Sequence, residues 1–273
     1  MIMWKDVSLT KVAILILLGI VGCSVLAPWI APYEPNHINM SNRLAPISRE
    51  HLLGTDTLGR DVFSRILYGG RISILLSILA TALTMLLGLG IGTLSGYYGG
   101  WVDEIGFIIT NMFQGLPSMS FMVALAGILG PGIQSLLLAL VMTAWPGFSR
   151  IVRGEVLKIR EKEYIEGIRA IGAGHIYIIL HYIIPNMLGP LIVIFTMRIS
   201  RGILAIASLS FLGLGLQPPT PDWGVMTRDA IMYFREHLML ILAPGTAILA
   251  TSLSLNFIGD ALRDVFDVRM NPS

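Results

Sequence analysis

The longest stretches of this chain that lack a charged residue are too apolar for a water-soluble domain. No Asp, Glu, Lys or Arg occurs from Ile72 to Val102, or again from Ile105 to Ser149. A helix that crosses a bilayer needs about 20 mostly apolar residues, and it satisfies its backbone polar groups internally. Apolar residues make up 54% of the chain and charged residues only 13%, against about 25% in soluble domains. The sequence therefore predicts an all-α, polytopic membrane protein.

Charge-free windows and turn signals divide the chain into six predicted spans. Gly130, Pro131 and Gly132 split the second long window, because Pro and Gly together end a helix and permit a tight turn. The first span could instead be a cleaved signal peptide, but Pro28 directly after Ala27 disfavours cleavage there. The predicted spans are residues 12–30, 72–96, 105–129, 133–149, 186–212 and 238–259.

The distribution of basic residues predicts the orientation of these spans. Lysine and arginine near span ends favour the cytoplasmic side. If both termini are cytoplasmic, all the lysines fall on the inner side: Lys5, Lys11, Lys158 and Lys162. We expect an anchor helix with an outer loop over residues 1–71, a transmembrane domain over 72–262 and a cytoplasmic tail over 263–273. The polar loop at residues 150–185 is then cytoplasmic.

The polar loop carries the pattern of a helix, a glycine turn and a second helix. Its apolar residues recur at helical spacing with charges between them, which predicts an amphipathic helix: Leu157, Tyr164, Ile165, Ile168 and Ile171. Pairing of Glu166 with Lys162 and with Arg169 is expected to support that helix. Gly172 and Gly174 allow a change of direction toward Pro185. Binding to lipid headgroups is the alternative, but the mixture of acids and bases favours a groove on another protein.

The segment from Glu166 to Gly172, followed by Tyr182 to Pro185, resembles the Glu-Ala-Ala loop of ABC-importer permeases. Glu166, Gly172 and Pro185 stand at the family's spacing, whereas Gly167 and Ile168 replace its usual pair of alanines. The resemblance implies a coupling helix that enters a cleft on an ATPase subunit. It assigns ATPase coupling to Tyr164, Glu166, Arg169, Ala170, Gly172, Ala173 and Pro185.

Three further blocks resemble the C-type subunit of dipeptide, oligopeptide and nickel permeases: His51–Ser73, Ser208–Met226 and Gly259–Asp264. This resemblance implies the fold of a type I ABC importer permease in the cell inner membrane, beside membrane lipid. Its implied partners are a homologous second permease, two ATP-binding subunits that hold ATP and Mg, and an extracytoplasmic solute-binding protein. No cofactor is expected in this subunit, and its net charge of +2 is too small to suggest nucleic-acid binding.

Each block also allows a physical interpretation. Asp56, Arg60, Asp61 and Arg65 predict a short helix with internal ion pairs along the outer membrane face. Gly213 and Gly215 are expected to end the fifth span. Trp223 is typical of the interfacial aromatic belt. The last block predicts that the final helix closes with Asp260, Arg263 and Asp264.

The sequence shows no motif for catalysis. There is no Gly-Lys dipeptide, and hence no phosphate-binding Walker loop, so ATP hydrolysis is expected only in partner subunits. The histidines are scattered over loops, which predicts no metal site, and Cys23 is expected to be a small packing residue.

Arg198 and Arg201 stand three residues apart near the middle of the fifth span, and hence on one helix face. A charge at mid-depth costs about 2.5–3.5 kcal/mol, so such residues usually face a polar cavity or a partner. They are therefore candidates for the translocation pathway. The alternatives are that the helix begins later, or that both side chains reach the surface.

The cargo is predicted from the same segment. Ile206 stands where this permease group commonly carries Glu, so the arginines would favour cargo with carboxylates. We predict a peptide importer; the alternatives are a nickel or metal-chelate importer and a membrane scaffold without transport activity.

Overall fold

The protein is mostly helical in the part that its structure, a computed structural model, describes: the backbone of residues 3–270 and the side chains of residues 9–266. Within those residues there is no strand, and one isolated bridge pairs Thr55 with Asp61. The predicted all-α fold is therefore confirmed. The predicted basic residues Lys5 and Arg269, and the end of the tail at residues 271–273, lie outside the described side chains or backbone.

The elements follow one another with short connections, except at two longer loops. The first helices are α1 (Met3–Val25), α2 (Ala27–Ile30), α3 (Val62–Tyr98), α4 (Gly100–Gln114) and α5 (Ser118–Leu129). They are followed by α6 (Ile133–Arg160), α7 (Glu163–Ala170), α8 (His175–Ile178), a π-helical turn (Ile179–Ile183) and α9 (Ile184–Phe211). The last are α10 (Trp223–Ala230) and α11 (Met239–Met270), with short 3₁₀ turns at Met40–Asn42 and Ile231–Tyr233.

Four helical segments are long and apolar enough to cross a membrane: Val62–Tyr98, Ile133–Arg160, His175–Phe211 and Met239–Phe266. Helices α4 and α5 make a fifth if this pair, bent by 84°, is one span. Helix α1 has 23 residues, and its part with described side chains, Leu9–Val25, is apolar. Each of the six predicted segments thus contains an apolar helix.

Several predicted bounds are wrong. Helix α3 begins ten residues before the predicted residue 72, and α6 continues past 149 to Arg160. The third predicted span is not one helix, because Gly115 and Pro117 lie at the bend between α4 and α5. Helix α11 runs to Met270, so Asp260, Arg263 and Asp264 lie inside this helix rather than closing it.

The helical bundle has two ends, which are named here by the segments that lie there. The hairpin end comprises residues 99–100 and 161–174, and the loop end comprises residues 31–61 and 212–238. Helices α3 and α6 run parallel between the two ends and pack through a row of glycines. A Cβ atom built on Gly92 would lie 2.5 Å from the Ser149 carbonyl oxygen, and one on Gly88 would lie 2.7 Å from Phe148. Small residues at a helix contact let two backbones approach closely.

Ion pairs at the loop end lie in turns rather than on the predicted surface helix. The Arg60 side chain contacts Asp56 at 2.6 Å, as predicted, and Arg65 lies 3.5 Å from the same carboxylate. Asp61 accepts a hydrogen bond from the Ser64 backbone N–H at 2.8 Å and so caps α3. The carboxylates are therefore used by turns and a helix cap, and the predicted helix is wrong.

Trp223 is buried rather than interfacial. Its Nε1 donates to the Ile66 carbonyl oxygen at 3.0 Å, and only 1% of the residue is exposed. The preceding Asp222 accepts from the Ser73 hydroxyl at 2.7 Å and caps α10.

Gly213 has a φ of 81° just after α9, so glycine does end this helix, as predicted. Cys23 is exposed on α1, which contradicts its predicted packing role.

Candidate functional site

Helix α7 is a short amphipathic helix at the hairpin end. Ile165 is fully buried and Ile168 partly buried, in a cluster with Ile159, Ile178 and Ile183. The helix is smaller than predicted, because Leu157 belongs to α6 and Ile171 follows α7 with 84% of its surface exposed. One face of α7 therefore attaches to the protein, and the other remains open.

The open face carries most of the predicted coupling residues. Four of them are exposed on α7, Gly172 is exposed in the turn, and Ala173 is half-buried: the four are Tyr164, Glu166, Arg169 and Ala170. Pro185 is exposed but lies in the first turn of α9, after the π-helical turn. Among the described side chains, Glu166 forms no ion pair with Lys162 or Arg169, so that predicted support is absent.

The turn after α7 depends on a single glycine. Gly172 has a φ of 89°, in the region that residues with a Cβ rarely adopt. The Ala173 N–H donates back to the Ile168 carbonyl at 3.3 Å and closes the helix end. Gly174 has a φ of −69°, which any residue can adopt. The prediction that both glycines provide unusual backbone geometry is therefore right for Gly172 and wrong for Gly174.

Polar contacts attach the hairpin end to α3. Arg160 donates to the carbonyl oxygens of Gly96 and Tyr97, at 3.1 and 2.9 Å. The Tyr97 hydroxyl contacts His175 Nδ1 at 3.1 Å, and the Arg169 guanidinium lies 5.8 Å from the Tyr97 ring centre. Sequence reasoning missed these contacts, because no local pattern links Tyr97 to residues so distant in the chain. Tyr97 of α3 thus contacts both α7, through Arg169, and α8, through His175.

Arg198 and Arg201 line a separate, partly open cavity of about 340 Å³ between helices of the bundle. Residues of α3, α5, α6 and α9 form its wall, among them Thr81, Met119, Met122, Leu140 and Ala205. Helix α9 begins before the predicted span, which excludes the alternative that it starts later. Arg198 donates to the Ala144 carbonyl of α6 at 3.3 Å and lies over the Phe148 ring at 5.3 Å. Its side chain is therefore held inside the bundle rather than extended to the surface.

Known proteins resemble this chain over most of its length. Residues 88–272 match the family described as "Binding-protein-dependent transport system inner membrane component". The dipeptide transport system permease protein DppC of Alkalihalophilus pseudofirmus is 38% identical over 97% of this chain and 88% of its own length. The glutathione transport system permease protein GsiD of Escherichia coli is also 38% identical, with the same coverage.

Solved structures share the fold. A chain of the inward-facing MetNI methionine ABC transporter has a TM-score of 0.60 at 20% identity, covering 74% of this chain and 96% of its own. A chain of an amino acid ABC transporter crystallised with histidines has a TM-score of 0.54 at 15% identity, with coverage of 72% and 90%. The predicted fold of a type I ABC importer permease is therefore confirmed.

Proposed function

Because the chain belongs to the ABC importer family of binding-protein-dependent inner membrane components, we propose that it forms half of the membrane pathway for di- and oligopeptides. The named substrates of the two relatives, dipeptides and glutathione, are both short peptides. Each relative aligns over nearly the whole of this chain, and hence over α7 as well as over the cavity. This similarity supports peptides over nickel or a metal chelate.

The observation that carries the proposal is the open face of α7, which is fixed to the spans from behind. The exposed residues of α7 combine an aromatic side chain, Tyr164, with the charges of Glu166 and Arg169, and such a mixture suits a protein groove. ATP and Mg would bind between two partner ATPases, whose closure moves the α7 surface. Because Tyr97 of α3 contacts Arg169 of α7 and His175 of α8, the spans would follow and change access from one side of the membrane to the other.

The proposal includes the remaining partners, which the family implies in general. A second, homologous permease would complete the pathway, and a solute-binding protein would deliver peptide at the loop end. In this proposal the hairpin end and both termini lie in the cytoplasm. The lysine distribution supports that orientation, since Lys158 and Lys162 lie next to the hairpin end.

Peptide uptake tests this function. The chain would be expressed with its partner permease, ATPases and binding protein in cells that lack peptide import. We expect ATP-dependent uptake of labelled di- and oligopeptides, which stops when this chain alone is omitted. Uptake of a nickel chelate but not of peptides would show that the protein is a metal-chelate importer instead. An assembled complex that transports neither would contradict a transport function.

A further inference from the structure

The cavity that contains the arginine pair has an unusual balance of charge. Two of its lining residues are cationic, Arg198 and Arg201, and none of them is Asp or Glu. Methionine and aliphatic side chains make up much of the remaining wall. A cation in such apolar surroundings loses hydration, and it is stabilised when an anion takes the place of water. The cavity therefore favours a negatively charged group.

The two arginines differ in the partners that they already have. Arg198 is partly buried, donates to the Ala144 carbonyl oxygen and stacks over Phe148, so it belongs to the wall. Arg201 is exposed toward the cavity, and within the described residues its guanidinium makes no hydrogen bond or ion pair. Of the pair, Arg201 is thus the cation that remains available to a ligand.

A hydroxyl group on the opposite helix adds a second polar contact. The side-chain hydroxyls of Thr84 and Thr143 donate to carbonyl oxygens within their own helices. Thr81 lines the same cavity on α3 and makes no such bond among the described residues. Gly202 packs against Ser77, one turn before Thr81, and this close contact holds α9 against that part of α3. A carboxylate can accept hydrogen bonds from a guanidinium and a hydroxyl together.

We propose that Arg201, assisted by the Thr81 hydroxyl, binds a carboxylate of the passing peptide, while Arg198 fixes the cavity wall. This inference rests on the proposed function and names the part of the cargo that the permease itself recognises. The volume of about 340 Å³ suits the end of a short peptide rather than a whole oligopeptide. A free carboxyl terminus is the anionic group that every unmodified peptide shares, so this site would act independently of peptide sequence.

The test compares a peptide acid with the corresponding peptide amide in proteoliposomes that contain the complete transporter and its binding protein. We expect Arg201→Gln to lower the acid-to-amide uptake ratio about tenfold, as for the loss of one charged hydrogen bond. The binding protein is unchanged, so its own preference cancels when variant and wild type are compared. Arg201→Lys should retain most of the ratio, and Thr81→Val should lower it less than Arg201→Gln.

Several outcomes would overturn this inference. Equal loss of acid and amide uptake in Arg201→Gln would indicate a structural or partner-pairing role, and an unchanged ratio would indicate no role. If the binding protein does not bind the peptide amide, the uptake rate of the peptide acid is the deciding measurement. Similar uptake rates for Arg201→Gln and Arg201→Lys would contradict the proposal. A loss of uptake in Arg201→Gln alone would support it. Co-purification of the ATPases with each variant controls for assembly. A wild-type transporter that moves no peptide would instead refute the proposed function.

Discussion

Several glycines in this protein allow close helix packing because they have no side chain. Glycines at positions 88, 92 and 96 remove the side chains that would otherwise separate α3 from α6. At Gly92 the obstacle to a Cβ is the Ser149 backbone oxygen, which cannot move as a side-chain end can. The short distance between α3 and α6 therefore depends on glycine at these positions.

We predict that Gly92→Ala destabilises the protein by about 1–3 kcal/mol, the usual cost of inserting a methyl group into a packed interior. Gly90→Ala is the matched control, because a Cβ at Gly90 meets no atom within 4 Å. Thermal unfolding of the detergent-solubilised protein would measure both. A Gly92→Ala variant as stable as Gly90→Ala would contradict the close contact.

At the residue scale, sequence reasoning succeeded where a local backbone requirement decides the outcome. It identified Gly172 as a turn residue and Gly213 as a helix end, and both have positive φ. It failed where a distant partner decides, as for Trp223, whose indole N–H meets a carbonyl of α3. An apolar ring with one polar atom suits a membrane interface and a polar niche in the interior equally well, and only the tertiary fold separates them.

Helices in this chain are longer and more often broken than charge-free windows suggest. A charge-free window ends at the first charged residue, whereas helix α3 extends toward the loop end beyond that point and includes Arg65. The Arg65 side chain is buried and donates to the Pro35 carbonyl oxygen at 2.9 Å. The bend between α4 and α5 was predictable, since Gly115 and Pro117 are the same kind of signal that located the break at Gly130–Gly132. The length of α7 was not predictable from the sequence, because helix α6 extends into the segment that was predicted to form the hairpin.

The orientation of these helices is a prediction that labelling can test. We expect Lys162→Cys at the hairpin end to resist membrane-impermeant thiol reagents in intact cells, and Met232→Cys at the loop end to react. Both native side chains are exposed in the structure, and Met232 is 85% exposed. Replacement of Cys23, itself exposed, by Ser removes the background.

Permeabilised cells give the control for this experiment, because both positions should then react. Labelling of position 162 but not of position 232 in intact cells would reverse the orientation. The ATPase site would then have to be sought at the loop end.

At the scale of the whole molecule, one helix connects the two candidate sites. The cavity lies among α3, α5, α6 and α9, and the open face of α7 lies at the hairpin end. Helix α3 takes part in both, through Thr81 in the cavity and through Tyr97 beside the hairpin. Under the proposed function, α3 is the continuous helix through which a movement at the hairpin end would reach the cavity.

The central claim, that the hairpin couples ATPases to the spans, is tested most directly by peptide-stimulated ATP hydrolysis in proteoliposomes. The informative pair is Gly172→Val and Gly174→Val, since a Cβ at either position meets no atom within 4 Å and only Gly172 needs a positive φ. Strain of about 1–3 kcal/mol should therefore redirect the turn in the first variant alone. We predict that Gly172→Val inserts normally but loses ATPase co-purification or peptide stimulation, while Gly174→Val retains both. Wild-type stimulation in Gly172→Val would contradict the claim that this hairpin is the coupling element.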